Sequence, residues 1–455
     1  MRVKRPGCSI PRTLASLIGV ALSLATSQGA LEAQPLLGGR SLGRAPALPP
    51  PSALPIVFTE LGPTGLIARA VTADTTCPEI ELDGNAQSMQ VRAVSAPPDF
   101  PILVCETAVP ASIHHAVVGQ QELPLFKPNP TRIVVIGDAG CRIEGSDAQA
   151  CNDPLAWPFA DVAKQAALVR PDLVIHVGDY IYREDPCPSG DLGCAGSPFG
   201  ENWETLQADL FTPAQPLLQA APWVFVRGNH EICSRGGEAW FRVLSPLPMP
   251  PICVDYTDPY KISLGNVDLL ILDSAITDDT SIPPDQVAAF KVQFDVLREM
   301  VTGDSWLVTH KPLYVFGNAG EQNGVEQLFI DQQVLQTASG NDFPLDIRLF
   351  IGGHVHLFET LSFGFGNGRP PQLVAGISGT ELSAAVTTPL TGLEMAGLEV
   401  TSGTTEHQFG FVVMQKGTTQ WTATLRGVDG VPRLGCRLEP ESLECVGFNH
   451  PGLVK

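Results

Sequence analysis

Between residues 131 and 353 the chain repeats one pattern: a short apolar run closing on Gly, Asp or His, then a longer stretch with helical spacing. The runs are RIVVIG, DLVIHVG, WVFVRG, VDLLILD, SWLVTH and IRLFIGG, and they read as buried strands. Between them, PFADVAKQAALV, NWETLQADLF and PPDQVAAFKVQFDVLREM set apolar residues three and four apart, the last opening on proline near its first turn. Strands that alternate with helices predict an α/β domain. After residue 380, FGFVVMQ and TQWTATLRGV read as strands that complete a sheet of this same domain.

The polar chemistry lies where the strands stop. RIVVIG is followed by Asp138, Ala139 and Gly140; DLVIHVG by Asp179 and Tyr182; WVFVRG by Asn229, His230 and Glu231. SWLVT ends on His310, and IRLFIGG leads into His354, Val355 and His356. Ligands of open α/β sheets bind beyond the carboxyl ends of the strands, so these side chains can converge there. Singly, each piece is weak, because Gly-Asp and Gly-Asn after a strand are ordinary turn chemistry. His354 and His356 form a stronger signal, since alternate residues of an extended segment face the same side and can offer two imidazoles to adjacent metals. The co-occurrence of all five strand ends is what points to a site.

These blocks, read in order as DAG, GDYIY, GNHE, VTH and GHVH, resemble those of the purple acid phosphatases within the calcineurin-like metallophosphoesterases. The resemblance implies a four-layer α/β/β/α sandwich, preceded here by a small all-β module, and two metal ions. It assigns Asp138, Tyr182 and His356 to one ion, Asn229, His310 and His354 to the second, and Asp179 to both. It also implies hydrolysis of phosphate monoesters by a metal-bound hydroxide, with His230 as general acid or phosphate-orienting donor and Glu231 holding its imidazole. The purple branch rests on Tyr182, because many relatives open with a GDxH block where this chain has Gly140. A phenol, with a reference pKa of about 10, becomes a ligand only beside a strongly Lewis-acidic ion, which suits Fe(III) with a divalent Zn, Fe or Mn. Tyr180 is expected to be a packed tyrosine instead.

The chain departs from that branch in having no histidine between residues 311 and 353, which leaves Lys311, Tyr314, Arg183 and Arg235 as candidates for phosphate contacts. Two other readings stay open. One is a phosphodiesterase of the same superfamily, including the alkaline phosphatase D type, for which Cys141 would have to become a ligand. The other is a non-catalytic exported protein that binds metal or phosphate.

Outside this region, Arg2, Lys4 and Arg5 precede TLASLIGVALSLATS, with small residues around Ala30 and Ala33, the layout of a signal peptide over 1–33. The run is shorter than the roughly 18 to 20 apolar residues of a membrane span, so none is expected after its removal. Residues 34–55 read as a Pro/Gly-rich leader, 56–128 as a small β-rich domain with strands in GLIARAVT, MQVRAV and FPILVCE, and 131–455 as the catalytic domain. Of the eleven cysteines, Cys8 falls in the signal; the remaining ten suit disulfides in a secreted or periplasmic protein, neighbours in sequence being the simplest pairing. The net charge of -20 excludes a protein that tracks nucleic-acid backbones and leaves a small phosphate ester as the expected partner.

Overall fold

The apolar runs form the strands Arg132–Ile136, Leu173–His176, Trp223–Phe225, Asp268–Leu272, Ser305–Thr309 and Ile347–Gly352 in a computed structural model that describes residues 55–340, 343–344 and 346–448. The first three lie parallel and adjacent in one sheet, the last three parallel and adjacent in another. Successive side chains of a strand point to opposite faces, and this sorts the layers. Ile133 and Val135 turn into a central core shared with Leu269, Ile271, Trp306, Val308, Leu349 and Ile351 of the second sheet. Val134 and Ile136 turn the other way, onto Phe159, Val162 and Ala166 of the helix Phe159–Leu168. On the far side, Leu270, Leu272, Leu307 and Phe350 pack with Phe290, Phe294 and Leu297 of the helix Pro284–Met300 and with Val334 and Leu335 of Gln333–Ser339. The order is helix, sheet, sheet, helix. Each fully buried aliphatic or aromatic side chain contributes about 1.5–3 kcal/mol, so the two inward faces carry much of the stability.

Among the described residues the first sheet has 11 strands and the second has 7. Gly410–Lys416 pairs antiparallel with Arg132–Ile136 and is followed by Trp421–Gly427, so both late strands complete the first sheet. On the opposite flank, Ile56–Gly62 pairs parallel with Trp223–Phe225, and Gly65–Thr72, Leu103–Val109 and Gln90–Ala93 extend the same sheet outward. Four short strands between Glu79 and Glu122 form a separate small sheet. The first segment is thus continuous with the larger fold through strand pairing. Arg69 reinforces that junction: it is buried, reaches Glu60 at 2.6 Å and Glu106 at 2.9 Å, and donates to the Val243 carbonyl at 2.6 Å.

The helix expected over NWETLQADLF runs further. An α-helical turn, Trp203–Leu206, passes through a π-helical turn, Gln207–Phe211, into Thr212–Leu218 despite Pro213 and Pro216. The wider turn shifts the hydrogen-bond register, with Thr212 N–H reaching the Gln207 carbonyl, and the π-turn carries buried Asp209 toward the site. Cys77–Cys105, Cys141–Cys151, Cys187–Cys194, Cys233–Cys253 and Cys436–Cys445 are all joined as disulfides. Among the described residues no helix is long and apolar enough to cross a membrane. The signal peptide expected over 1–33, and all of the 34–55 leader except Pro55, lie outside the described residues.

Candidate metal centre

Each candidate ligand follows the carboxyl end of a strand within one to six residues, where the chain must leave the sheet abruptly. Asp138, Asp179 and His354 do so with φ of 55°, 60° and 69°, the left-handed region that non-glycine residues seldom occupy. Such a conformation costs on the order of 1–3 kcal/mol at each residue and persists where the surroundings over-determine it, commonly at functional sites. The neighbouring glycines give the carboxylates and imidazoles room. A Cβ on Gly228 would lie 2.0 Å from Asp179 Oδ1, and one on Gly178 would lie 2.5 Å from the His310 ring.

The turns bring together all seven residues expected to be ligands. Tyr182 Oη lies 3.0 Å from Asp138 Oδ1, 2.9 Å from Asp179 Oδ2 and 2.8 Å from His356 Nε2. On the other side of Asp179, His310 Nε2 is 3.2 Å from Asp179 Oδ2 and 2.9 Å from Asn229 Oδ1. His354 completes this second group, since one donor atom from each of Asp179, His310 and His354 falls within 4.8 Å of the others. Asp179 therefore belongs to both groups. His354 also binds across, its backbone N–H donating to Asp138 Oδ2 at 3.1 Å.

The electrostatics suit a cation. Asp138 and Asp179 are buried, and among the described residues neither contacts a Lys or Arg; their polar partners are histidines, backbone N–H groups and the Tyr182 phenol. Burial, followed by the two carboxylates, holds the Tyr182 phenol well above its ordinary range. A phenolate can form there only if positive charge enters. For Asp138, burial pushes the carboxyl up, but the His356 hydrogen bond and the charges of His310 and His356 outweigh it and leave the group below its usual value. Carboxylates, imidazoles, an amide oxygen and a phenol are the donor set of hard and borderline ions.

His230 sits at the rim of this cluster, its ring 3.8 Å from that of Tyr182 and its Nε2 3.8 Å from Asp179 Oδ2. Its Nδ1 is 2.7 Å from Glu184 Oε1 and 3.0 Å from the Ile181 carbonyl. Glu184, absent from the sequence reading, thus takes the part expected of Glu231. Glu231 instead points inward and accepts backbone N–H groups from Tyr180 at 2.8 Å, Ile181 at 3.2 Å and Gly228 at 3.1 Å, clasping the two ligand turns together. Tyr180 is a packing residue, its hydroxyl donating to the Val226 carbonyl at 2.8 Å.

Three of the four candidates for phosphate contact are occupied elsewhere. Arg183 is buried against Asp209 and Ser197, Tyr314 lies in the outer core, and Lys311 is bound to the Thr277 carbonyl and Asp279. Arg235 stays at the rim: it pairs with Glu184, and its Nη2 lies 3.0 Å from His230 Nδ1. Cys141 is held by Cys151 and offers no thiolate. The sequence also gave no warning of Asp279 and Asp331, whose carboxylates lie 3.3 and 3.4 Å from His354 Nε2. Only the position of Asp279, shortly beyond the end of an apolar strand, could have signalled its part.

A family model described as calcineurin-like phosphoesterase matches residues 131–358, which span the strand-end blocks from Asp138 to His356. The chain belongs to the calcineurin-like phosphoesterase family. Among solved structures, this phosphoesterase is similar to a purple acid phosphatase, PPD1, from seeds of yellow lupin, Lupinus luteus. The TM-score is 0.53 at 14% identity, over 86% of this chain and 74% of that one. A structure of PhoD aligns with a TM-score of 0.49 at 13% identity, over 88% of this chain and 92% of that one. No curated protein matches the sequence. The two-sheet sandwich is therefore the fold of the family, and its members' chemistry implies metal-dependent hydrolysis of phosphoesters.

Proposed function

We propose that this calcineurin-like phosphoesterase hydrolyses phosphate monoesters at a two-ion centre. Asp138, Tyr182 and His356 would hold one ion, Asn229, His310 and His354 the other, and Asp179 both. The observation that supports this most directly is the Tyr182 hydroxyl, buried within 3.0 Å of three ligand-type atoms that one phenolic proton cannot all satisfy. Two cations, when bound, would supply the charge to acidify a water and neutralise the phosphoryl oxygens, and this donor set with a phenolate suits Fe(III) beside a divalent Zn, Fe or Mn.

The protein's own groups do the rest. His230, fixed through Nδ1 by Glu184 and the Ile181 carbonyl, keeps Nε2 toward the cluster, where it can deliver a proton to the departing oxygen. Arg235, half-buried beside it, is placed to meet a phosphoryl oxygen with its guanidinium, in place of the histidines missing between 311 and 353. We assign catalysis to residues 131–455 and a flanking role to 56–128. We also propose export directed by residues 1–33, a reading that the five disulfides support.

The test is metal analysis of the purified mature protein together with turnover of p-nitrophenyl phosphate and of bis(p-nitrophenyl) phosphate. Two ions per chain with faster monoester turnover is the expected result. Faster diester turnover would make it a phosphodiesterase, and two ions without turnover of either ester a binding protein.

A further inference from the structure

We propose that Asp279 and Asp331 are positioning residues that fix the tautomer and orientation of His354, so that its Nδ1 is the atom offered to the ion shared with Asp179 and His310. This rests on the two-ion reading above. Asp279 Oδ1 and Asp331 Oδ2 both face His354 Nε2, at 3.3 and 3.4 Å, from segments far apart in sequence. A ring nitrogen that donates its N–H to a carboxylate leaves its lone pair on the other nitrogen, and such outer partners orient metal-ligating imidazoles.

The two acids are themselves held. Lys311 Nζ donates to Asp279 Oδ1 and to the Thr277 carbonyl, each at 2.6 Å. The Gln332 side chain donates to Asp279 and, at 3.3 Å, to Asp331 Oδ1, while its Oε1 accepts from Thr277 Oγ1 at 2.8 Å. Gln332 adopts φ of 61° to do so, and its backbone N–H donates to Asp331 Oδ1 at 2.7 Å. Lys311 directly follows His310, so one network braces the segments of both histidines of the second group.

Three acceptors this close resemble a further cation site. The Lys311 ammonium already sits on Asp279, so an ion there would meet a resident positive charge. Two carboxylates against one ammonium leave a net negative charge behind His354, which makes its free nitrogen a better donor to a cation on the opposite side.

The test uses the full exported chain loaded with Zn(II), with affinity measured by chelator competition for wild type, Asp279→Asn and Asp331→Asn. Each variant should hold one of its two ions about 10–100-fold more weakly, with the other unchanged, because loss of such partners typically has that effect. The melting temperature of the chelator-treated protein should stay near that of wild type. Asp279 is partly exposed, so its variant keeps the test available if Asp331→Asn does not fold. Wild-type affinity for both ions in the variants, or equal weakening of both ions together with a lower melting temperature, would overturn the proposal. If wild type itself binds fewer than two ions, the two-ion reading fails and this one with it. Two ions in wild type and unchanged variants would sink the positioning role alone.

Discussion

Tyr182→Phe separates a ligand from a packed tyrosine, because the control, Tyr180→Phe, lies two residues away. Removing the Tyr182 hydroxyl takes a hydrogen-bond partner from Asp138, Asp179 and His356. Asp138 keeps the backbone N–H of His354 at 3.1 Å, and Asp179 keeps the backbone N–H of His230 at 2.9 Å, so neither carboxylate is orphaned. The stability cost in metal-free protein should therefore sit near the low end of the range for a lost buried hydrogen bond, about 1 kcal/mol. Tyr180 Oη donates to the Val226 carbonyl inside an apolar core; the Val226 N–H keeps the His176 carbonyl at 3.0 Å, but the Val226 carbonyl loses this donor, so removal should cost more, about 1–3 kcal/mol. The visible spectrum should reverse this order. In iron-loaded protein Tyr182→Phe loses the phenolate charge-transfer band, whereas Tyr180→Phe melts earlier and keeps it. A band that survives in Tyr182→Phe, or disappears in Tyr180→Phe, refutes the ligand assignment.

His230→Ala should lower kcat about 10²–10⁴-fold, the usual contribution of a positioned acid, while the two-ion content measured by elemental analysis stays the same. Gly228→Ala would drive a Cβ to 2.0 Å from Asp179 Oδ1 and 2.3 Å from its backbone nitrogen, so calorimetry should register destabilisation of at least the 1–3 kcal/mol typical of overpacking, about the cost of a strained core. Gly303→Ala, with nothing within 4 Å of the added Cβ, should leave melting and metal content alone. Glu359 is buried with only the Phe316 N–H, at 3.1 Å, on Oε1 and no partner on Oε2 among the described residues, and burial holds its carboxyl well above the ordinary range. Its neutral form contributes stability below the unfolded-state value, which is lost as pH climbs toward the raised one. Glu359→Gln should therefore gain melting temperature relative to wild type as pH rises from the ordinary carboxylate range toward the raised value, and a constant difference would show that Glu359 is already ionised.

The limits of the sequence follow from which contacts are local. Glu184 and Glu231 lie close to His230 and Tyr182 along the chain, yet which acid serves His230 depends on how two separate turns face each other. Glu231 sits in the tight turn Asn229–Glu231, and that turn directs it inward onto the N–H groups of the GDYIY segment. Glu184 enters at the rim from the other turn and takes the imidazole. The pairing of Ile56–Gly62 with Trp223–Phe225 was equally invisible, since a sheet edge recruits any strand of suitable length and the choice is made by the central core.

The six parallel strands, the helices Phe159–Leu168 and Pro284–Met300 and the five polar blocks at the strand ends were determined by the sequence alone, because apolar runs and the turn residues that end them act over a few neighbouring positions. The convergence of those blocks, the disposal of Lys311, Tyr314 and Arg183 away from the rim, and the placement of Asp279 and Asp331 behind His354 were decided by tertiary structure. Those contacts join residues far apart in the chain, and burial of two facing sheets sets their distances with no pattern left in the intervening sequence.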